Sequence, residues 1–180
     1  MTELTFFAHG TTTDNEAGLA TGWNGGELSE LGKRQSEDLE KAIAEKFDLV
    51  FCSDLKRAID SAEIAFGKKY QVIPDRRLRE VNYGNLTGTE FSAFSEKLAD
   101  FIDAKFPGGE SYKDVEKRVS EFLGVLKTNY PGKKIAIVSH QGPQLALEVL
   151  INKKSWKEAL SEDWRRKKDW KPGWKYVLSD

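Results

Sequence analysis

The residues Ile135-Ala136-Ile137-Val138 are apolar without interruption, and this run limits the fold more than any other stretch of the chain. A strand with one wet face alternates apolar and polar residues. An unbroken run needs cover on both faces, the situation of a parallel sheet between helices. "LTFFA", Leu4 to Ala8, and "DLVFCS", Asp48 to Ser53, read the same way; "YQVI", Tyr70 to Ile73, and "WKYVL", Trp174 to Leu178, are weaker strand candidates. Apolar residues at helical spacing separate them. Leu31, Leu39, Ala42 and Ile43 come after Ser29, a suitable N-cap; Leu55, Ala58, Ile59, Ala62 and Phe66 form a second stripe. Phe91, Phe94, Leu98 and Phe101 form a third, ended by "FPGG", and Val115, Val119, Phe122, Leu126 and Tyr130 a fourth, ended by "PG". A short helix starts after Pro143, and Ser155 with Glu158 makes a capping box for another. The alternation predicts an α/β fold: a three-layer sandwich whose central sheet is mostly parallel, with helices on both faces. The length of 180 residues, without repeat or linker, suits a single domain over 1–180.

Composition narrows the function. A net charge of −1 gives no global field toward nucleic acid or an acidic membrane. The one cysteine, Cys52, can form neither an internal disulfide nor a cysteine-rich zinc site. The first residues lack the pattern of a secretion signal, and no apolar run approaches the ~20 residues that span a bilayer. A cytoplasmic protein is the expectation.

Ligands of open α/β sheets gather at the carboxyl ends of the strands. There the chain places its only two histidines: His9 ends the first strand and His140 the third, each with a glycine close behind it ("HG", "HQGP"). Arg57 lies in the first turns of the helix after the strand ending at Ser53, where free backbone amides favour an anion. Two imidazoles can bind a metal, but no acidic residue sits at ligand spacing beside either one, so that use is the weaker. The joint reading is phosphoryl chemistry. A neutral imidazole attacks phosphorus, while a second, protonated imidazole and a guanidinium stabilise the charge on its oxygens. A carboxylic acid protonates the leaving oxygen and later activates water. Glu80, in "RLREVNYGNLTG", is unremarkable on spacing alone.

Six segments in order resemble the histidine phosphatase superfamily, also called phosphoglycerate mutase-like: "FFAHGTTTDN", "TGWNGGELSELGKRQ", "CSDLKRAIDSAE", "RLREVNYGNLTG", "FPGGESYKDVEKRV" and "IAIVSHQGP". The set is particularly similar to small bacterial members of the α-ribazole phosphatase type. The resemblance implies His9 as the nucleophile, His140 as the second histidine of the phosphate pocket, Arg57 as a phosphate-binding arginine and Glu80 as the proton donor. It implies Asn15 as a polar contact to phosphate or substrate and the Gln141 backbone amide as a further donor. It implies a small-molecule phosphomonoester as substrate, with no metal or organic cofactor.

The family carries arginine directly before the nucleophile, and this chain carries Ala8. Losing such a donor typically costs ~10²–10³ in rate. Three readings of Ala8 compete: a substitution made by design to weaken turnover, a natural loss of catalysis with phosphate binding kept, or replacement by another cation. Lys56, Arg76, Arg77 and Arg79 are candidates for that cation by proximity to motif residues. The short stretch from Glu80 to Pro107 favours hydrolysis over mutase transfer, because family mutases carry a longer insertion there. A third alternative is a weakly catalytic protein that binds a phosphorylated metabolite. The Phe91–Phe101 helix is expected to pack on the core or to act as a lid. The C-terminal stretch holds four of the five tryptophans among basic residues. Nucleic-acid binding is the less favoured reading of it, a cover for the sheet edge the more favoured. Trp164, Trp170 and Trp174 are candidate walls of the pocket, with Trp170→Ala expected to raise KM. A homodimer is compatible with the sequence, though nothing in it demands one.

Overall fold

Successive strand residues point to opposite faces, so each unbroken run feeds two cores. The structure, a computed structural model that describes residues 1–179, shows both. One core gathers Leu4, Phe6, Phe51, Ile135 and Ile137. The other gathers their neighbours Phe7, Val50, Cys52, Ala136 and Val138. Strands β1 (Thr2–Ala8), β2 (Leu49–Ser53), β3 (Val72–Asp75), β4 (Lys134–Ser139) and β5 (Trp174–Leu178) form one sheet in the order β3-β2-β4-β1-β5. Every pairing is parallel except β1 with β5.

Helices α2 (Glu30–Ala42) and α3 (Lys56–Phe66) pack together, and α3 supplies Ala62, Ala65 and Phe66 to the second core. Helices α4 (Tyr112–Asn129), α5 (Gln141–Leu150) and α6 (Trp156–Ser161) cover the first core. This is the three-layer α/β sandwich. Two short helices, α1 (Thr13–Glu16) and α7 (Trp164–Lys167), lie beyond the strand ends. Among the described residues no helix is long and apolar enough to cross a membrane.

Two expected helical faces differ from the sequence reading. Leu31 is 45% exposed, and the buried residues of α2 are Gly32 and Ser36. The cause is close backbone approach. A Cβ on Gly32 would stand 2.0 Å from the Thr11 carbonyl oxygen, and one on Gly10 would stand 2.4 Å from that of Gly32. The stretch from Phe91 to Phe101 is not an α-helix but two 3₁₀ turns, Phe91–Ala93 and Ser95–Phe101. Phe91 and Phe94 are three residues apart, a spacing that suits three residues per turn. Both pack against Tyr83, and Phe101 stacks on Phe106 with centroids 3.9 Å apart.

The Gly10–Gly32 contact seats the loop after β1. Gly32→Ala should destabilise the chain by about 1–3 kcal/mol, the usual range for overpacking, and urea unfolding checks it. An unchanged midpoint would show that this approach is looser than it stands here.

Candidate functional site

The register of the two central strands assembles the site. Ala8 pairs with Ser139, so the next residues, His9 and His140, emerge side by side. The His9 backbone N–H donates to the Ser139 carbonyl at 3.1 Å, and the two imidazole rings lie 4.8 Å apart. Strand β2 flanks β4 on its other side, and its carboxyl end leads through Leu55, the N-cap, into α3, which carries Arg57 in its first turn. Sequence-distant groups thus meet at one sheet edge.

His9 has a defined tautomer. Its Nδ1 lies 2.7 Å from the Gly10 carbonyl oxygen, an acceptor, so Nδ1 carries the proton and Nε2 the lone pair. The ring lines a cavity of about 780 Å³. Desolvation, and then the Arg57 charge, push its pKa down from 6.5 to about 3. His140 is 1% exposed, and neither ring nitrogen has a partner among the described residues. Burial, then Arg57 and His9, hold it well below the usual histidine range, so the second imidazole is neutral here and not protonated as the sequence reading expects.

Arg57 is 2% exposed. Its Nη2 donates to the Gly22 carbonyl and its Nη1 to that of Asn24, both at 2.8 Å, with a longer contact from Nη1 to the Gly25 carbonyl at 3.4 Å, and Nε has no partner among the described residues. No carboxylate lies within ion-pair distance of it among the described residues. Gly26, at φ +63°, keeps this loop close: a Cβ there would stand 3.3 Å from the Arg57 side chain.

Glu80 is buried against the start of α5. Its Oε1 accepts the N–H groups of Val81 and Gly142, each at 2.8 Å, and its Oε2 accepts that of Gln141 at 3.1 Å. The Gln141 amide therefore binds Glu80 here, rather than standing free as a phosphate donor. The Gln141 side chain donates to Asp163. A Cβ at Gly142 would stand 2.8 Å from Glu80 Oε1, so the missing side chain makes room for the carboxylate. Behind Glu80, Trp23 Nε1 and Arg118 Nη2 donate to its backbone carbonyl at 2.7 and 2.9 Å, which fixes where the side chain starts.

Asn15 lines the cavity with its Oδ1 committed to the Thr12 N–H, so its amide N–H₂ is the part left for a ligand. Ala8 lines the cavity too. The four cations that sequence proximity offers as its replacement do not. Lys56 pairs with Asp60 and Glu27, Arg77 with Asp75 and Arg79 with Asp54, while Arg76 lines a separate cavity with Trp23 and Arg118. Trp170 is 62% exposed and is not part of the wall, because the tail carries it out past α7. Trp164 is in the wall, and Trp174 stacks behind it with centroids 5.0 Å apart. The expectation that Trp170→Ala raises KM loses its basis.

Several cavity residues escape a reading of the sequence. Among them Thr21 is 7% exposed with an unpartnered Oγ1, and Arg165 and Arg166 sit on α7. Thr21 opens the motif segment "TGWNGG", but a threonine in a loop carries no signal of its own. The 3₁₀ segment supplies Phe91, Ser92, Ser95, Glu96 and Leu98 to the wall, while Phe94 packs inward. No group of three or more His, Cys, Asp or Glu side chains is arranged to hold a metal among the described residues.

The family model described as histidine phosphatase superfamily (branch 1) matches residues 4–169. Phosphoserine phosphatase 1 of Hydrogenobacter thermophilus is 29% identical over 157 residues, covering 82% of this chain and 74% of the relative. A 2,3-bisphosphoglycerate-dependent phosphoglycerate mutase of Streptococcus mutans is 41% identical, over only 56% of this chain and 46% of its own length. Among solved structures, the α-ribazole phosphatase of Shigella flexneri superposes with a TM-score of 0.76 at 25% identity, covering 88% of this chain and 84% of that one.

Two histidines neutral in the folded state have a consequence for stability. Unfolding returns each to a pKa near 6.5, so below that value the unfolded chain binds more protons. Stability should therefore fall as the pH drops from 6.5 toward 5, by up to about 1.4 kcal/mol per pH unit for each histidine. Urea unfolding across this window checks the slope. Imidazole ¹⁵N shifts of a protonated ring at pH 6 would contradict it.

Proposed function

Because the chain belongs to branch 1 of the histidine phosphatase superfamily, we propose that it is a metal-independent phosphomonoester hydrolase working through a phosphohistidine at His9. One observation carries most of this reading. Among the described residues, Arg57 is a buried cation without an anion, beside a His140 whose two nitrogens have no partner. Burying an unpaired charge is costly, and an arrangement of this kind suits a dianionic ligand. Phosphate supplies the charge and the acceptor oxygens at once.

The reaction runs in two halves. His9 Nε2, held unprotonated by the Nδ1–H bond to Gly10, attacks phosphorus; the N–P bond forms as the P–O bond to the leaving group breaks. Arg57 and an N–H of His140 hold the equatorial oxygens. Glu80 gives the leaving oxygen its proton. Oε2 is the oxygen suited to carry it, since it accepts one N–H where Oε1 accepts two. In the second half Glu80 takes a proton from water, the water oxygen bonds to phosphorus, and the N–P bond breaks. The free enzyme and inorganic phosphate result. An alanine at position 8 lowers the rate by ~10²–10³ relative to a site with arginine there, unless a cation from elsewhere reaches the phosphoryl group.

Hydrolysis is preferred to mutase transfer because the phosphatase relative aligns over 82% of this chain and the mutase over 56%. The remaining volume, with Leu19, Phe91, Leu98, Leu160 and Trp164 on its walls, suits a small phosphomonoester with an apolar portion.

Phosphate release from an aryl phosphate tests the reading. His9→Ala should reduce it to background, and Glu80→Gln should lower kcat by about 10²–10⁴. Rapid quenching should capture an acid-labile phosphoryl group on His9 by mass spectrometry. Release that survives His9→Ala would defeat the proposal, and transfer between the hydroxyls of a phosphoglycerate without release would favour the mutase.

A further inference from the structure

The cavity wall that contains Ala8 also contains a guanidinium from the far end of the chain, that of Arg165. Its side chain is 25% exposed and held from three sides. Nη1 donates to Gln144 Oε1 at 3.0 Å and to Asp163 Oδ1 at 3.1 Å. The guanidinium carbon lies 4.4 Å from the centroid of the Trp164 ring, whose other stacking partner is Trp174. Trp164 Nε1 in turn donates to Gln144 Oε1 at 3.0 Å.

These contacts tie α7 to the helix that His140 caps. Gln144 is 3% exposed and bonds its backbone N–H to the His140 carbonyl. Asp163, 4% exposed, accepts from the Gln141 side chain as well as from Arg165. The anchoring therefore uses one terminal nitrogen and one ring face. Nε and Nη2 have no hydrogen-bond partner among the described residues. A stacked, singly anchored guanidinium gives up little further freedom when it meets a phosphate.

We infer that Arg165 is the cationic ligand that serves the phosphoryl group in place of an arginine at position 8. The assignment rests on the phosphatase reading of the site, yet it concerns binding as well as turnover. Its charge is felt at both histidines, where it opposes protonation. Arg165 is itself paired with Asp163, but the four cations nearer the motifs in sequence do not line this cavity, and Arg166, which does, gives Nη2 to Glu96 at 2.7 Å and is the more exposed of the two. It also gives the Trp-rich tail a task, since Trp164 and Trp174 form the platform on which the guanidinium rests.

The test compares the full chain with Arg165→Ala, Arg165→Lys, Ala8→Arg and the double variant Ala8→Arg/Arg165→Ala. Two quantities are read: affinity for inorganic phosphate by calorimetry, and kcat on an aryl phosphate. Arg165→Ala should weaken phosphate binding by about ten- to a hundredfold and lower kcat by about a hundredfold. Arg165→Lys should lose less. Ala8→Arg should restore most of both in the Arg165→Ala background, and raise kcat by less than about tenfold in the parent. Rescue separates a charge from a structural prop, because an arginine on β1 cannot restore packing on α7. Phosphate affinity and kcat of Arg165→Ala within about threefold of the parent would overturn the assignment. So would equal losses in the alanine and lysine variants with no rescue. If the parent neither releases phosphate nor phosphorylates His9, the hydrolase reading falls, and Arg165 is judged on phosphate affinity alone.

Discussion

The parallel pairing of β1 with β4 is the contact on which the site depends. Parallel strands end together, and a helix starts after one of them. With Ala8 opposite Ser139, both histidines leave the sheet at the same level. A slip of one residue would turn every side chain of a strand to the other face, and the two cores, each built from alternate residues of the same strands, forbid it. Apolar packing thus fixes a polar geometry. The glycines finish the arrangement. Gly10 and Gly32 let α2 close on the loop after His9, and Gly142 leaves room for the Glu80 carboxylate.

The second constraint is electrostatic. The site concentrates groups that bind anions and leaves them short of one. Arg57 is charged and buried, yet held by backbone carbonyls rather than by a carboxylate. The imidazoles respond by staying neutral, since a proton on either would add charge beside Arg57 in a desolvated place. Neutrality is also what a nucleophile needs. The burial that would otherwise be a defect therefore keeps the His9 lone pair available, and the Gly10 carbonyl decides which nitrogen carries it. Glu80 is held by backbone amides of its own, those of Val81, Gln141 and Gly142.

Much of this is legible in the sequence, for a physical reason. Unbroken apolar runs mark strands covered on both faces, and the residue just past the end of such a strand lies at the sheet edge. His9, His140 and Arg57 can therefore be placed together without coordinates. The misreadings share a cause as well. Helical spacing puts Leu31 in the core because spacing cannot see that a neighbouring backbone comes within reach of Gly32. Phe91 to Phe101 looks like an α-helix because aromatic residues three apart satisfy a tight turn as well as a looser one. Lys56, Arg77 and Arg79 are near the motifs in sequence, and each is claimed by a carboxylate in space. Thr21 and Arg165 come from loop and tail, where no periodicity reports which way a side chain turns.

The tail and the change at position 8 are best understood together. A phosphoryl group in transfer responds to positive charge at a place, not to the strand or helix that delivers it. An arginine at position 8 would bring that charge from the end of β1. Arg165 lines the same cavity from a short helix whose own stability is small. Such a helix must be held by tertiary contacts, and the tail provides them in layers. Trp174 is part of β5 and packs on Phe6 of β1, Trp164 stacks on Trp174, and the guanidinium lies on Trp164. Gln144 and Asp163 then fix its rotation. The antiparallel strand at the sheet edge is thus more than a cover for β1. It is the base of a stack that seats the Arg165 guanidinium in the cavity wall that Ala8 also lines.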